Sequence, residues 1–138
     1  QADLHNILGA EASDLNPYDV LILGSSTWGE GELQDDWVDF MDRLDSMDFR
    51  NKNIALYGLG DQEAYPDSFV DAMGVIHEMV SSRGARIIGY WPTEGYVFNA
   101  SRAVVHDHFV GLALDEDNEP HMTDDRIKSW IEQLQQEL

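Results

Sequence analysis

The sequence predicts an α/β protein built on an open parallel sheet with helices on both faces, in three layers. Two short apolar runs, at residues 20–23 (Val-Leu-Ile-Leu) and 54–57 (Ile-Ala-Leu-Tyr), are each followed by a glycine. Such runs are typical of parallel strands buried on both faces. Amphipathic helical periods lie between the predicted strands. Because strand and helix alternate, we expect ligands to bind at loops after the carboxyl ends of the strands.

Further strands are predicted outside that central pair. Residues 86–90 and 109–114 are apolar enough to form strands, and residues 4–7 (Leu-His-Asn-Ile) have the character of a short strand or of the end of one. The length fits one domain with a real core. We therefore expect residues 1–138 to form a single domain, truncated so that the strand, Gly-rich turn and helix that usually begin such folds are missing.

The first predicted helix is amphipathic, with one apolar side and one strongly acidic side. The apolar residues at helical spacing are Leu33, Trp37, Phe40, Met41 and Leu44. The acidic residues that occupy much of the rest are Asp35, Asp36, Asp39, Asp42 and Asp45. The acidic side is expected to be solvated, and it can also serve as a docking surface.

Two more helices are predicted downstream. The second places Phe69, Met73, Ile76 and Val80 at helical spacing. Gly84 is expected to stop that helix. The third is predicted to begin at Thr123 as its N-cap, because a Thr side chain can accept a hydrogen bond from the first turn. Its expected core-facing residues are Ile127, Trp130, Ile131 and Leu134.

Composition limits the possible partners. Eight Lys and Arg against 27 Asp and Glu give the 138 residues a formal charge of -19. Such a charge repels nucleic acid and anionic membranes and attracts basic protein surfaces. The sequence has no cysteine, which excludes a disulfide framework and a thiolate metal site, and no apolar run as long as a membrane span. We expect a cytoplasmic protein that binds neither nucleic acid nor membrane.

Two loops at the predicted carboxyl edge each carry one large aromatic side chain. Residues 25–32 (Ser-Ser-Thr-Trp-Gly-Glu-Gly-Glu) include Trp28, and residues 58–66 include Tyr65. A Trp in a loop more often packs as a lid over the core than it contacts a ligand. Two rings on adjacent loops can also sandwich a planar heterocycle, so both interpretations remain open from the pattern alone.

These two loops resemble those that bind the flavin ring in the flavodoxin family. The resemblance rests on residues 27–28 (Thr-Trp) followed by 31–32 (Gly-Glu), and on residues 58–62 (Gly-Leu-Gly-Asp-Gln) with Tyr65. Several motifs in the correct order are far more specific than an isolated signature. The resemblance implies a flavodoxin-like open sheet and flavin mononucleotide (FMN) as the cofactor.

The resemblance also extends along the chain, from Asp3 to the carboxyl terminus. Residues 90–96 and 109–115 are similar to the long-chain flavodoxins, which carry an insertion in their last strand. One part of the family pattern has no counterpart in the sequence: the Ser/Thr- and Gly-rich turn at a helix N-terminus that holds the phosphate. Thr27 is expected to offer a hydroxyl to the phosphate, which does not replace that turn.

The resemblance implies a role for each matching residue of the two loops. Trp28 and Tyr65 would stack on opposite faces of the flavin ring, and Asp61 with nearby amides would contact its pyrimidine edge. The peptide between Gly29 and Glu30 would reorient on one-electron reduction, because glycine reaches positive φ without a side-chain clash. The expected cofactor-binding residues are Thr27, Trp28, Gly29, Gly31, Gly60, Asp61 and Tyr65.

The function implied by the resemblance is FMN-dependent, low-potential one-electron transfer between redox proteins, without a catalytic residue or a substrate of its own. The expected partners are basic surfaces of flavodoxin reductase and of electron-acceptor proteins, and we expect a monomer if the chain is complete. Two alternatives remain open. One is an FMN-dependent quinone or nitro-compound reductase, whose substrate pocket Trp28 and Tyr65 would crowd. The other is a cofactor-free fragment or binding module.

Two patterns suggest metal binding only weakly. His106 and His108 would lie on one face of a strand, but no third ligand is evident. Asp115, Asp117 and Glu119 alternate like the start of a calcium loop, yet the sixth position, which requires glycine, is a proline. We therefore expect no metal site, and we expect residues 115–120 to form a solvated acidic loop.

Overall fold

The middle of the fold is a pair of long parallel strands. The computed structural model describes residues 2–44 and 47–138, so Asp45, predicted on the acidic side of the first helix, lies outside the described residues. The elements that form the sheets and helices are β1 (Val20–Trp28), β2 (Glu32–Leu33), α1 (Asp35–Leu44), β3 (Asn53–Leu59), α2 (Asp71–Ser82), β4 (Arg86–Ile88), β5 (Trp91–Pro92), β6 (Val104–Val105), β7 (His108–Phe109), β8 (Leu112–Leu114) and α3 (Thr123–Glu137). β1 pairs in parallel with β3 from Val20 opposite Asn53 to Ser26 opposite Leu59.

Two short strands share the other edge of β3. β4 pairs in parallel with its first half, and β8 pairs in parallel with its second half. The segment between them, residues 89–111, is hereafter called the insertion and contains a small antiparallel sheet in the order β5-β7-β6. The prediction of one strand over residues 109–114 is therefore wrong, because the chain leaves the small sheet after Phe109 and joins the main sheet at Leu112.

Helices cover both faces of the main sheet, which confirms the predicted three-layer α/β class. On one face, buried residues of α1 and α2, such as Phe40 and Ile76, pack against Leu23 and Leu56. On the other face, Trp130 of α3 packs with the short strands at the far edge. Within the described ranges the main sheet is mostly parallel, and the short β2 runs antiparallel to its neighbour β1.

Burial on both faces is confirmed for β3 and wrong for β1. In β3, Ile54, Ala55 and Leu56 are successive buried residues. In β1, Leu21 and Leu23 are buried, whereas Ile22 on the opposite face is 46% exposed. The reason is that α1 and α2 pack against one face of β1, while α3 packs on the other face around β3, β4 and β8.

The predicted strand at residues 4–7 is also wrong. Those residues form no strand in the structure, and Leu4 is 99% exposed. They line a cleft of about 630 Å³ together with Gly24 of β1 and Trp37 of α1. Without ladder hydrogen bonds to a neighbouring strand, an extended segment is not a strand.

The helices form where predicted, with corrections at their ends. Leu33 belongs to β2 and Phe69 precedes α2, so neither is helical. Gly84 stops the second helix as predicted, at φ +94° and with its N–H bonded to the Ser81 carbonyl. Thr123 is not an N-cap, because its backbone is helical (φ -59°, ψ -49°) and its hydroxyl donates to Glu116.

The core-facing side of α3 is narrower than predicted. Trp130 and Leu134 are buried, but Ile127 and Ile131 are 39% and 37% exposed. Trp130 also donates from Nε1 to the Gly89 carbonyl at 2.8 Å, which ties α3 to the start of the insertion. None of the helices within the described ranges has the length and apolar character that crossing a bilayer requires.

Candidate functional site

Trp28 is presented by a tight hairpin at the carboxyl end of β1. Residues 27–33, hereafter the Trp28 hairpin, fold back on themselves as Thr27 pairs with Leu33 and Trp28 with Glu32. Trp28 is thus the last residue of β1 rather than a loop residue, and it is 47% exposed. The turn depends on glycine, since the residue after Trp28 has φ +50°. The predicted reorientation of the peptide between Gly29 and Glu30 stays a prediction.

The Trp28 hairpin is fixed to the first turn of α2. Thr27 Oγ1 accepts a hydrogen bond from the Ala72 N–H at 3.1 Å. Asp71 is buried, and one of its carboxylate oxygens accepts from the Arg102 N–H at 2.7 Å. Burial raises the pKa of Asp71, and the hydrogen bond from Arg102 opposes that shift only in part. Gly31 fits against this carboxylate because it has no side chain.

Tyr65 is presented by a second turn, at the carboxyl end of β3. In residues 60–66, hereafter the Tyr65 loop, Asp61 Oδ1 accepts from the Ala64 N–H at 2.9 Å and from the Glu63 N–H at 3.1 Å. The Tyr65 N–H donates to the Asp61 carbonyl at 2.9 Å. Tyr65 itself is 41% exposed. Both predicted rings are therefore exposed at the carboxyl ends of adjacent strands, although Trp28 belongs to β1 and only Tyr65 lies in a loop.

Asp61 folds the loop that contains it. The Ala64 amide, the Asn118 side chain and the Glu63 amide all donate to its carboxylate, and these bonds hold its pKa below the usual value. The carboxylate oxygen that accepts them, Oδ1, is committed to the turn. Contact between Asp61 and a flavin ring remains a prediction.

The backbone is strained where the Tyr65 loop meets α2. Val70, the residue before the helix, has φ +49°, which is rare for a β-branched side chain. Gly60 lies directly against it, because a Cβ on Gly60 would be 3.1 Å from Val70 N. Sequence reasoning missed this position, since nothing in a valine signals left-handed backbone. Such strain tends to be retained at ligand sites.

A buried polar cluster lies behind the Tyr65 loop and was also missed from the sequence. Gln62, Asp115 and Asn118, hereafter the Asp115 network, connect that loop to the segment after β8. The signal available in the sequence was an aspartate directly after an apolar strand, which we interpreted as part of a solvated acidic loop. Asp115 is in fact fully buried.

The insertion runs alongside the Tyr65 loop. The Val97 N–H donates to Gln62 Oε1 at 2.6 Å, and the Asn99 N–H donates to the Pro66 carbonyl at 2.7 Å. Its aromatic residues Tyr96, Phe98 and Phe109 surround the ring of Phe69, with ring centroids 5.5 to 5.8 Å from it. The insertion therefore supports the Tyr65 loop from behind.

Acidic side chains lie close to the Trp28 hairpin in sequence. Glu30 and Glu32 belong to the hairpin, and helix α1 begins two residues after it. The described acidic residues of α1 are all exposed, as predicted: Asp35, Asp36, Asp39 and Asp42. The residues that line the cleft beside β1 include the acidic Asp36 but no lysine or arginine, so they provide no strong attraction for a phosphate.

The two patterns that weakly suggested metal binding are not arranged as metal sites. His106 and Asp107 occupy the turn between β6 and β7, at φ +52° and +66°, so His106 and His108 do not share a strand face. Both oxygens of the Asp115 carboxylate accept hydrogen bonds from protein N–H groups. Among the residues that the structure describes, no group of three or more His, Cys, Asp or Glu side chains is arranged to hold a metal ion.

These features define an open α/β sheet with helices on both faces and two exposed aromatic rings at its carboxyl edge, the edge at which folds of this class bind ligands. The flavodoxin family model matches residues 1–130, and the chain belongs to the flavodoxin family. The flavodoxin of Synechococcus elongatus is 55% identical over 136 residues, which are 99% of this chain and 80% of that protein. Flavodoxin 1 of Escherichia coli K12 is 49% identical over 138 residues, covering 99% of this chain and 78% of its own length.

Solved structures give the same result. The structure of the Fusobacterium nucleatum flavodoxin bound to flavin mononucleotide matches with a TM-score of 0.92 and 30% identity, covering 97% of this chain and 80% of that chain. A mutant of the same protein, also bound to flavin mononucleotide, matches with a TM-score of 0.91 and 32% identity, covering 96% and 78%. The resemblance inferred from the two loops is therefore confirmed.

Proposed function

We propose that this protein is an FMN-dependent, low-potential one-electron carrier between redox proteins. The observation that carries the proposal is the pair of exposed rings, Trp28 and Tyr65, on neighbouring turns at the carboxyl edge of the sheet. Membership of the flavodoxin family and structural matches to two FMN-bound flavodoxins support it. Flavodoxins are electron-transfer proteins rather than enzymes, so we assign no catalytic residue and no substrate.

The two turns fit the ring part of FMN. Exposed, flat side chains offer stacking surfaces for a planar heterocycle. We propose Thr27, Trp28, Gly29, Gly31, Gly60, Asp61 and Tyr65 as the residues of this site. When bound, FMN supplies the redox chemistry. Trp28 and Tyr65 exclude water from the ring, and the Gly29 peptide, already at positive φ, changes its orientation without a side-chain clash.

The negative charge of the protein favours a low reduction potential. The net charge is -19, and the α1 acids lie on the helix that follows the Trp28 hairpin. One carboxylate about 10 Å from an added electron, at an effective dielectric constant of about 20, opposes that electron by roughly 1.7 kcal/mol. Several carboxylates acting together lower the potential further, although counter-ions screen those that are fully exposed.

We further propose that the partners are basic surfaces of a flavodoxin reductase and of electron acceptors. Opposite charge on two proteins accelerates their encounter and orients it. We propose a monomer, one domain over residues 1–138, and a cytoplasmic location, which suits a sequence without cysteine. The reductase and cofactor-free alternatives have no support among the relatives, which are flavodoxins by name.

The test of the proposed function is a titration of FMN with the protein, followed by flavin fluorescence. Stacking on aromatic rings quenches that fluorescence, so we expect strong quenching that is lost in Trp28→Ala and weakened in Tyr65→Ala. Tyr90→Ala is the matched control, because Tyr90 is 39% exposed, close to the 41% of Tyr65, and belongs to neither turn.

Two results would contradict the proposal. One is the absence of quenching in the unaltered protein at micromolar concentration. The other is an equal loss of quenching in Tyr90→Ala and Tyr65→Ala, which would show that the change does not come from the two turns. Steady consumption of NADH by the protein alone would favour the reductase alternative.

A further inference from the structure

Asp115 is a buried carboxylate surrounded by hydrogen-bond donors. It directly follows β8 and has no exposed surface. Its Oδ2 accepts from Gln62 N at 3.1 Å, from Gln62 Nε2 at 2.8 Å and from Asn118 Nδ2 at 2.8 Å. Its Oδ1 accepts from Asn118 N at 3.1 Å. A charge removed from water requires such compensation, and here neutral amides provide it.

The same donors belong to the segments that determine the shape of the Tyr65 loop. Asn118 Nδ2 also donates to Asp61 Oδ1 at 2.8 Å, and that oxygen holds the Glu63 and Ala64 amides of the turn. Gln62 is itself a loop residue, fixed at both its backbone and its side chain by Asp115. The Asp115 carboxylate thus holds the Tyr65 loop in two ways, directly through Gln62 and indirectly through Asn118.

The outer ends of the network are anchored as well. Gln62 Nε2 donates to Glu119 Oε1 at 2.8 Å, and Arg126 Nη2 forms an ion pair with the same oxygen at 3.1 Å. The Arg126 guanidinium lies 4.2 Å from the centroid of the Tyr96 ring. The Asp115 network therefore connects the Tyr65 loop to α3 and to the insertion.

We propose that Asp115 is a positioning residue of the flavin site: through Gln62 and Asn118 it fixes the Tyr65 loop in the conformation that presents the Tyr65 ring. This inference rests on the proposed function, since the ring matters only if a flavin binds there. An amide at position 115 would bring an N–H donor against Gln62 and Asn118 donors, so even the isosteric change Asp115→Asn breaks the arrangement.

The first test uses the FMN-free protein and measures amide hydrogen exchange. In Asp115→Asn we expect the amides of Glu63, Ala64 and Tyr65 to exchange about tenfold faster, because the bonds that close the turn lose their support. The matched control is Asp117→Asn, which removes the same charge from an exposed residue of the same segment. That variant should leave the three amides unchanged.

The second test is a pair of double-mutant cycles on FMN affinity. Asp115→Asn alone should weaken binding about tenfold. If Asp115 acts by positioning Tyr65, its effect is largely absent once Tyr65 is alanine. The double variant should then bind FMN at least about threefold more tightly than the product of the two single losses of affinity predicts. The second cycle combines Asp115→Asn with Trp28→Ala, and Trp28 lies on the other turn. In that cycle the two losses of FMN affinity should multiply.

Four outcomes are decisive. Unchanged exchange in Asp115→Asn overturns the loop-fixing role, whether or not FMN binds. Effects that multiply equally with Tyr65→Ala and with Trp28→Ala show that Asp115 acts through general stability, which also overturns the proposal. If the unaltered protein binds no FMN, the proposed function fails while the exchange experiment still tests the loop. If Asp115→Asn does not fold, Asn118→Ala replaces it, with about a threefold loss of affinity expected.

Discussion

Gly31 is the most tightly constrained residue of the Trp28 hairpin. Its φ is +99°, and a Cβ there would lie 2.7 Å from Asp71 Oδ2 and 3.3 Å from Ser68 Cβ. Asp71 cannot withdraw freely, because its other oxygen is bonded to the Arg102 N–H. In Gly31→Ala we therefore expect two separate penalties, one from the backbone conformation and one from the collision with the buried carboxylate.

The two penalties can be estimated separately. A left-handed conformation costs an L-residue roughly 1–2 kcal/mol. Overpacking of a well-packed site typically costs about 1–3 kcal/mol. Gly95 offers a matched control, since its φ is +89° and a Cβ there would meet no atom within 4 Å. Gly95→Ala should therefore show the backbone penalty alone, and Gly31→Ala the sum of about 2–5 kcal/mol.

The assay is urea unfolding of the parent protein and both variants, with the FMN titration run in parallel. Gly31→Ala should have the lower unfolding free energy and should also weaken FMN binding, because the hairpin that presents Trp28 is displaced. If Gly95→Ala destabilises the protein as much as Gly31→Ala, the contact with Asp71 is not a constraint and the reasoning fails. Adding Asp71→Ala to Gly31→Ala should restore part of the lost stability.

Two more predictions concern charge. Burial raises the pKa of Asp71, so the native state holds a proton more tightly than the unfolded state, and the stability contributed by this group falls as the pH rises above 3.8. In Asp71→Asn that decline should disappear, which urea unfolding between pH 4 and pH 7 measures; an unchanged pH profile would contradict it. Replacing Asp35 and Asp39 by Asn should slow electron transfer to a basic partner several-fold at low salt and little at high salt. Replacing Asp124 and Asp125 on α3 removes the same charge, and an equal effect from that pair would show that net charge, not the α1 face, is responsible.

Much of the fold could be predicted from local patterns. The apolar run at residues 54–57 lies in β3, the strand buried on both faces, and Gly84 ends α2. Both were predictable because a continuous apolar run and a glycine after a helix are signals in the local sequence. The exposed faces of Ile22 and Ile131 could not be predicted, since burial depends on which elements pack over a residue. Apolar side chains indicate what can be buried and not what covers it.

The ring-bearing residues were predictable for a different reason. Trp28 and Tyr65 are large aromatic residues after apolar strands, and their motifs match a family. Asp115 was not predictable, because its donors come from Gln62, far away in the sequence, and from Asn118, an amide in a segment that is rich in acids. An aspartate in such a segment normally faces water, so only tertiary structure distinguishes a buried one.

The two rings are anchored to different parts of the fold, yet one segment of the insertion connects both anchors. Asp71, which contacts the Trp28 hairpin at Gly31, accepts from the Arg102 N–H, and Gln62 in the Tyr65 loop accepts from the Val97 N–H. Residues 97–102 therefore act on both sides of the site. In the proposed function, a flavin held between the two rings would require the distance between them to be fixed. Since the insertion bonds to both anchors, its backbone connects them a second time, in addition to the β1–β3 pairing that ends with Ser26 opposite Leu59.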